Sequence, residues 1–265
     1  MCGSGQPMLL LHGFSGSGQN WAEIAEALQD KYLVIMPDLL GQGRSESPPS
    51  PTRYQIDFAT QDLIALLQSL NIDKVHLLGY SMGGRLALAL ALEYPEPIKT
   101  LTLESASPGL ESQSERVVRV RADEVLAARI EREGVAWFAA YWEALPLFST
   151  QAPEIRAKLR EIRLANTPMG LANSLRGMGT GAQPSFWARL AELKIPTLLI
   201  VGEKDEKFTD IAQRMAELVP SAHLSIVSNS GHTIHQEQPE QYIRVVRAFL
   251  DSQSLRAGDQ NSSVL

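Results

Sequence analysis

One stretch in the first third of the chain constrains the fold more than any other. Residues 75–78 are a short, largely apolar run that begins with a β-branched valine, which predicts a buried strand. The next residues, Gly79-Tyr80-Ser81-Met82-Gly83, fit the pattern G-x-S-x-G, and the Ala/Leu-rich segment 86–92 predicts a helix. A strand, a sharp turn and a helix form the context that this pattern requires. Because glycine has no side chain, strand and helix can cross closely there, and Ser81 is the candidate reactive residue.

The same serine has an ordinary structural explanation. Serine is common at helix N-caps, and G-x-S-x-G by itself matches many sequences by chance. A catalytic role for Ser81 therefore depends on partners supplied elsewhere in the chain.

Length and composition are typical of a soluble globular protein. The 265 residues, 44% of them hydrophobic and 20% charged, suit one large α/β domain or a domain with an insertion. The apolar run 86–92 is too short to span a membrane, and residues 1–7 lack the basic and apolar segments of a signal peptide. The single cysteine, Cys2, excludes an internal disulfide and a cysteine-based metal site. We therefore expect a cytoplasmic protein.

The charge distribution narrows the class of ligand. The formal net charge is −6 and the sequence has no basic stripe, which argues against nucleic acid as a partner. Residues 110–195 are less acidic than the remainder, which favours a small anionic substrate. A solvated helical surface would explain the same charges.

Apolar runs and helical patterns alternate along most of the chain. Strands are predicted near residues 8–12, 32–36, 75–79, 98–103, 197–202 and 222–227. Helices are predicted near residues 19–29, 56–70, 206–218 and 239–250. This alternation predicts an α/β fold with a mostly parallel central sheet and helices on both faces. Ligands of such sheets bind beyond the carboxyl ends of the strands.

The pattern changes between residues 110 and 193. This segment contains no predicted strand. Its helices are predicted near residues 114–132, 134–144, 153–165, 168–178 and 184–192. An all-helical insertion between two strands predicts a cap over the strand ends. We thus expect a core of residues 1–109 and 194–251, a cap of residues 110–193, and a polar, disordered tail at 252–265.

Two further strand ends carry residues that could activate Ser81. Asp205 follows the strand at 197–202, and His232 follows the strand at 222–227. A serine hydroxyl needs a base to accept its proton, and a carboxylate orients that base. All three side chains would emerge at the same edge of the sheet, which predicts a Ser81–His232–Asp205 triad.

Other acids and another histidine lie close to these positions. Glu203 is nearer to its strand than Asp205, and Asp210 falls within the next predicted helix. His235 lies three residues beyond His232, which is favoured because Gly231 permits the turn that presents it.

Two backbone groups and one arginine complete the candidate site. The N–H groups of Phe14, after the first strand, and Met82, at the start of the helix, are candidate donors to developing negative charge. Arg85 lies four residues after Ser81, on the same helix face, and could point into the pocket. It could equally pair with a nearby acid.

Residues 1–250 resemble the α/β-hydrolase family. The matching motifs are LHGF at 11–14, DLLGQGRS at 38–45, GYSMGG at 79–84, GEKD at 202–205 and GH at 231–232. These motifs are shared by hydrolases, dehalogenases and enzymes that cleave C–C bonds. Only seven residues precede the first strand, so the usual opening β-hairpin is expected to be absent or shortened.

Longer segments resemble a narrower family, the 2-succinyl-6-hydroxy-2,4-cyclohexadiene-1-carboxylate synthases. These segments are GYSMGGR at 79–85, ESASPGL at 104–110, LANSLRGMGTG at 171–181, QPSFW at 183–187 and GEKDEKF at 202–208. The resemblance implies a lyase that removes a proton and eliminates pyruvate, with Ser81 as a base, in menaquinone or phylloquinone synthesis. It implies no metal or organic cofactor.

The same resemblance implies how a multiply carboxylated substrate would be held. The matching positions are Arg85, Arg119 and Arg163, with Tyr80 and Trp142 lining the pocket. Several carboxylates require several guanidinium groups. Arg116, Arg121 and Arg160 are near neighbours that could take the place of the two cap arginines.

Two other functions remain open from the sequence. A carboxylesterase or C–C hydrolase would use the same triad through an acyl-enzyme, and a ligand receptor could be built on the same fold without catalysis. A pocket for neutral esters would be apolar, since inward-facing arginines are costly there. The sequence does not indicate an oligomeric state.

Overall fold

A six-stranded parallel sheet forms the centre of the fold. The computed structural model describes the backbone of residues 1–262 and the side chains of residues 1–255. The strands are β1 (Gln6–Leu11), β2 (Tyr32–Ile35), β3 (Val75–Tyr80), β4 (Ile98–Glu104), β5 (Thr197–Gly202) and β6 (Ala222–Val227). Their order is β2-β1-β3-β4-β5-β6, and every neighbouring pair is parallel. The predicted α/β fold with a parallel sheet is confirmed.

The central strands are buried on both faces, which explains why they are continuous apolar runs. Successive side chains of a strand point to opposite faces. In β1, Leu9 and Leu11 belong to one apolar cluster, whereas Met8 and Leu10 belong to another. Each face of the sheet therefore needs its own layer of helices.

Two groups of helices supply these layers. Helices α2 (Ile56–Ser69), α3 (Met82–Glu93) and α7 (Glu206–Leu218) pack on the face of Leu9 and Leu11. Helices α1 (Ala22–Leu28) and α9 (Pro239–Ser262) pack on the opposite face. A one-turn helix, α8 (Ile234–Glu237), lies between β6 and α9.

The segment between β4 and β5 is helical throughout its regular parts. It contains α4 (Gln113–Glu143), α5 (Pro153–Leu164), α6 (Pro168–Met178) and a final 3₁₀ turn, Trp187–Glu192. Buried apolar residues of α4 and α6 form a separate small core, which contains Ala127, Ile130, Phe138, Leu171, Ala172 and Leu175. This small core holds α4 and α6 together, and the division of the chain into a core and a cap stays a prediction.

Helix α4 is interrupted where the sequence predicts a break between two helices. Gly134 has φ 83° and ψ 175°, which is not helical. Arg176 of α6 pairs with both Glu124 and Glu131 on the long arm of α4. The predicted helices near 114–132 and 134–144 are therefore the two arms of one kinked element.

The start of the chain adds one bridge to the sheet, and its last helix is longer than predicted. Cys2 forms an isolated antiparallel bridge with Val34, in the place of an opening hairpin. Helix α9 does not end near 250 but runs to Ser262, across most of the expected disordered tail. After Pro239, no proline or glycine interrupts the chain before Gly258, so the backbone can continue as a helix. Residues 263–265 lie outside the described residues.

Across residues 1–262, no helix combines the length and apolarity needed to cross a membrane.

Two buried histidines make the stability of the fold dependent on pH. Burial lowers the pKa of His12 and of His76 to about 4. The unfolded chain, with a histidine pKa near 6.5, therefore binds more protons than the fold between pH 6.5 and 4. We expect each histidine to contribute about 3 kcal/mol of stability above pH 6.5 that is lost as the pH falls to 4.

Urea unfolding of the wild type and of His76→Gln at several pH values between 7 and 4 tests this prediction. The variant should lose less stability over this interval, because it lacks one of the two groups. Equal losses in the two proteins would contradict it.

Candidate active site

Ser81 lies at the turn between β3 and α3, in a backbone conformation that few residues adopt. Its φ is +51°, which is strained for a residue other than glycine. Ideal Cβ atoms built on Gly79 and Gly83 would lie 2.3 Å from the carbonyl oxygens of Gly83 and Leu11, respectively. Glycine at these two positions is therefore what allows α3 to start so close to β1 and β3.

Three of the predicted residues come together in a hydrogen-bonded chain. The Nδ1 atom of His232 lies 2.6 Å from Oδ2 of Asp205, and its Nε2 lies 3.1 Å from Oγ of Ser81. An ionised carboxylate only accepts hydrogen bonds, so Nδ1 carries the proton and donates it to Asp205. The Nε2 atom is then free to accept the hydroxyl proton of Ser81. This arrangement can activate the serine as a base or as a nucleophile.

The loops that carry the acid and the histidine are fixed by local hydrogen bonds. Asp205 precedes α7, but its side chain does not cap that helix and instead contacts His232. The carboxylate of Glu237 accepts the backbone N–H groups of Gly231 and Thr233 at 2.9 and 3.1 Å. These bonds hold the turn that presents His232.

The alternative residues have other partners. Glu203 accepts the backbone N–H of Asn229 at 3.0 Å, and Asp210 lies exposed on α7. His235 donates its Nδ1–H to Glu104, in a pair that is fully buried. Of these side chains, only Asp205 is hydrogen-bonded to His232.

The two predicted backbone donors line the same cavity as Ser81. Met82 is the first residue of α3, where helical N–H groups have no intrahelical acceptor. Phe14 lies in the turn after β1. Among the described residues, neither N–H has an acceptor. Both are available for a ligand oxygen that becomes negatively charged.

The cavity beside Ser81 has a volume of about 340 Å³ and carries positive charge. Of the predicted residues, Phe14, Ser81, Met82, Arg85, Arg119, Trp142 and His232 line it. Sequence reasoning missed the other polar side chains of the lining, namely Ser105, Ser107, Ser174, Thr180 and Lys207. For Ser105 and Ser107, the position directly after β4 was an available signal, because ligands of parallel sheets bind at strand ends.

Arg85 is buried but is not paired with an acid among the described residues. Its guanidinium donates to the carbonyl oxygen of Met178 at 2.9 Å and to Oε1 of Gln183. Burial lowers its pKa to about 10, so the group stays cationic at neutral pH. Both of these partners are neutral, and the more distant charges of Arg119 and Asp123 act on Arg85 in opposite directions. An anion in the cavity can therefore pair with Arg85.

Arg119 reaches the cavity from α4 and is held by a carboxylate one helical turn away. Its Nε donates to Oδ1 of Asp123 at 2.8 Å. Burial raises the pKa of Asp123, and the positive charge of Arg119 opposes that shift. The i,i+4 spacing of the two residues is a signal that the sequence contained.

Arg163 and Tyr80 lie in an adjoining cavity, not in the one that contains Ser81. That cavity has a volume of about 30 Å³. Phe14 and Trp142 line both cavities and form the boundary between them. Arg163 is buried, which lowers its pKa, and its Nη1 has no hydrogen-bond partner among the described residues. Arg163 therefore does not face Ser81 directly, because the rings of Phe14 and Trp142 lie between the two cavities.

The neighbouring arginines on the same helices point elsewhere. Arg160 pairs with Glu143, and Arg116 donates to the carbonyl oxygen of Leu110. Arg121 lines a separate open groove. None of the three lines the cavity beside Ser81.

Comparison with known proteins places this site in a family. A family model described as alpha/beta hydrolase fold matches residues 6–239. A Bacillus subtilis (strain 168) protein, provisionally named 2-succinyl-6-hydroxy-2,4-cyclohexadiene-1-carboxylate synthase, is 46% identical over 250 residues, which are 93% of this chain and 91% of that protein. The synthase of the same name from Escherichia coli O1:K1 is 33% identical over 88% of each chain.

Solved structures agree with the sequence comparison. The structure of MenH from S. aureus superposes with a TM-score of 0.90 at 37% identity and covers 94% of both chains. A thermophilic esterase from Thermogutta terrifontis, solved with malate bound, has a TM-score of 0.84 at 30% identity and covers 95% of this chain and 92% of its own. The chain therefore belongs to the α/β-hydrolase fold family and, within it, to the family of 2-succinyl-6-hydroxy-2,4-cyclohexadiene-1-carboxylate synthases.

Proposed function

We propose that the protein is a lyase that eliminates pyruvate from 2-succinyl-5-enolpyruvyl-6-hydroxy-3-cyclohexene-1-carboxylate. The product is 2-succinyl-6-hydroxy-2,4-cyclohexadiene-1-carboxylate, an intermediate of menaquinone or phylloquinone biosynthesis. The observation that carries the proposal is a single cavity in which Ser81, hydrogen-bonded to His232, faces the guanidinium groups of Arg85 and Arg119. The names of the related synthases support it.

The triad would supply the base for this elimination. Nε2 of His232 takes the hydroxyl proton of Ser81, and the serine oxygen takes the proton from ring carbon 2, next to the succinyl ketone. The electron pair of that C–H bond forms a double bond to carbon 3, and the ring double bond shifts to carbons 4 and 5. The C–O bond at carbon 5 then breaks, and the enolate that leaves becomes pyruvate when it is protonated.

The backbone donors would stabilise the charge that develops in this step. Removal of a proton next to a ketone places negative charge on the ketone oxygen. The free N–H groups of Phe14 and Met82 can donate to that oxygen, and preorganised donors of this kind lower the barrier. Asp205 would stabilise the positive charge that His232 acquires.

The arginines would hold the carboxylates of the substrate, which carries three of them. Arg85 and Arg119 line the cavity, and Arg163 lies behind Phe14 and Trp142. A guanidinium group can bind a carboxylate through two parallel hydrogen bonds. The partner is thus a small anionic molecule, and the single cysteine of the chain is compatible with the cytoplasm as its compartment.

Pyruvate release from the enzymatically prepared pathway intermediate tests the proposal. Formation of the conjugated diene gives a second, independent readout by ultraviolet absorption. A p-nitrophenyl ester serves as the comparison substrate. Rapid pyruvate release with weak ester cleavage is expected, whereas rapid ester cleavage without pyruvate would contradict the proposal.

Arg85→Ala should have a much larger effect on kcat/KM than on the free energy of unfolding. Loss of a charged hydrogen bond to the substrate is worth about 1.5–3 kcal/mol, so kcat/KM should fall about 10- to 150-fold. Arg121→Ala, on the separate groove, is the matched control and should leave kcat/KM unchanged. Steady-state kinetics and urea unfolding of both variants check the prediction. Wild-type kcat/KM in Arg85→Ala would rule out this role for Arg85.

Ester hydrolysis is the second candidate, and one observation favours it. The 3.1 Å contact between His232 and Ser81, with two free N–H groups nearby, also suits an acyl-enzyme mechanism. A burst of p-nitrophenol equal to the enzyme concentration would indicate acylation of Ser81. The buried guanidinium of Arg85, which is hydrogen-bonded only to neutral groups among the described residues, argues against neutral esters as the substrates.

A further inference from the structure

A second histidine–carboxylate pair lies behind the triad and takes no part in the proposed chemistry. Glu104 ends β4, and His235 lies in the short helix α8. Both side chains are completely buried. Nδ1 of His235 lies 2.8 and 2.9 Å from the two carboxylate oxygens of Glu104, and the backbone N–H of His235 donates to the same carboxylate at 3.1 Å. Burying such a pair costs desolvation free energy, so its presence behind the triad points to a role.

Glu104 also holds the turn that carries Ser81. Its backbone carbonyl accepts the N–H of Ser81 at 2.8 Å. Strand β4 lies between β3, which leads to Ser81, and β5, which leads to Asp205. A single residue is thus bonded to the serine turn through its main chain and to the histidine loop through its side chain.

The aromatic neighbours leave His235 little freedom. The ring of Trp21 stacks on His235 with centroids 4.2 Å apart. The ring of Tyr80 packs between the two histidines, 4.9 Å from His235 and 5.4 Å from His232. A displacement of His235 would therefore reach His232 both through Tyr80 and through the two residues that connect the histidines.

We propose that Glu104 is a positioning residue that sets the distance between Ser81 and His232. By anchoring His235, it fixes the loop that presents His232, and by accepting the N–H of Ser81 it fixes the serine relative to that loop. The turnover part of this inference rests on the proposed lyase function. The effect of Glu104 on the distance between Ser81 and His232 does not depend on that function.

Glu104→Gln is the first test. The glutamine NH₂ group would replace one of the two carboxylate acceptors that face Nδ1–H of His235, so the pair cannot form unchanged. We expect kcat for pyruvate release to fall about 10- to 100-fold, as a small misplacement of reacting groups does, with KM within about threefold of wild type. Should this variant fail to fold, His235→Ala carries the same expectation, because it removes the Nδ1 donor and keeps the backbone donor.

His76→Gln is the matched control. His76 is buried in β3 and is hydrogen-bonded to Thr100 and Gln6, but it lines neither of the two cavities around the candidate site. It should lose stability and keep the wild-type kcat. If Glu104→Gln lost stability to the same degree and also kept the wild-type kcat, Glu104 would be merely structural.

Two measurements without substrate separate this inference from the proposed function. Proton NMR of the protein labelled with ¹⁵N-histidine should show two low-field Nδ1–H signals, from His232 and His235. Glu104→Gln should shift both signals and slow the reaction of Ser81 with diisopropyl fluorophosphate. If only the His235 signal moves and the labelling rate is unchanged, the positioning role is wrong. If wild-type protein releases no pyruvate, only the proposed function is overturned.

Discussion

Ser81→Ala should lower kcat for pyruvate release by about 10²- to 10⁴-fold, the usual contribution of a positioned base. The alanine has no oxygen to take the ring proton, and Nε2 of His232 lies 3.1 Å behind the position of that oxygen. The free energy of unfolding should change by about 1 kcal/mol at most, because the serine side chain makes one hydrogen bond among the described residues and does not cap α3. Steady-state kinetics and urea unfolding check both parts.

A variant of the acid gives a second test of the same hydrogen-bonded chain. Asp205→Asn should also lower kcat, because an amide can stabilise the wrong tautomer of His232. In both variants KM should change little, since neither residue is expected to bind a carboxylate. Full activity of Ser81→Ala would show that another group removes the proton and would overturn the assignment of the base.

Gly83→Ala should strongly destabilise the fold. A Cβ at this position would lie 2.3 Å from the carbonyl oxygen of Leu11 and 2.5 Å from that of His12. Both atoms belong to the backbone at the end of β1 and cannot move without disturbing the sheet. We expect a loss of about 4 kcal/mol or more, out of a total that is typically 5–15 kcal/mol.

Gly134→Ala is the comparison that isolates the close contact from backbone strain. Gly134 has φ +83°, but a Cβ there would meet no atom within 4 Å. Strain alone should cost about 1–3 kcal/mol. Thermal and urea unfolding of the two variants should therefore differ clearly. Equal losses would mean that the contact between α3 and β1 relaxes more easily than the geometry indicates.

The sequence predicted the parts of the fold that depend on local patterns. The strand before Ser81 and the helix after it were predictable because apolar periodicity and two glycines specify that turn. The order of Ser81, Asp205 and His232 along the chain predicted their meeting, since parallel strands end at one edge of the sheet. Helix α9 beyond Leu250 was missed because the polar composition of this segment, which includes Gly258, is also typical of a disordered tail.

The contacts of the arginines could not be predicted in the same way. Gln183 is 98 residues from Arg85 along the chain, and no local pattern relates them. The division between the cavity of Ser81 and that of Arg163 depends on where the rings of Phe14 and Trp142 lie, 5.2 Å apart. Packing of this kind is set by the whole fold and not by spacing in the sequence.

The strand order has a consequence for the chain as it leaves the ribosome. Strands β1 to β4 and the Ser81 turn are complete by residue 104, whereas β5, the next neighbour of β4, begins at residue 197. During the synthesis of everything between them, β4 is a temporary edge whose free N–H and C=O groups could pair with another chain. The helical segment therefore determines how long a nascent chain is exposed to aggregation, and a longer insertion at this point would extend that period.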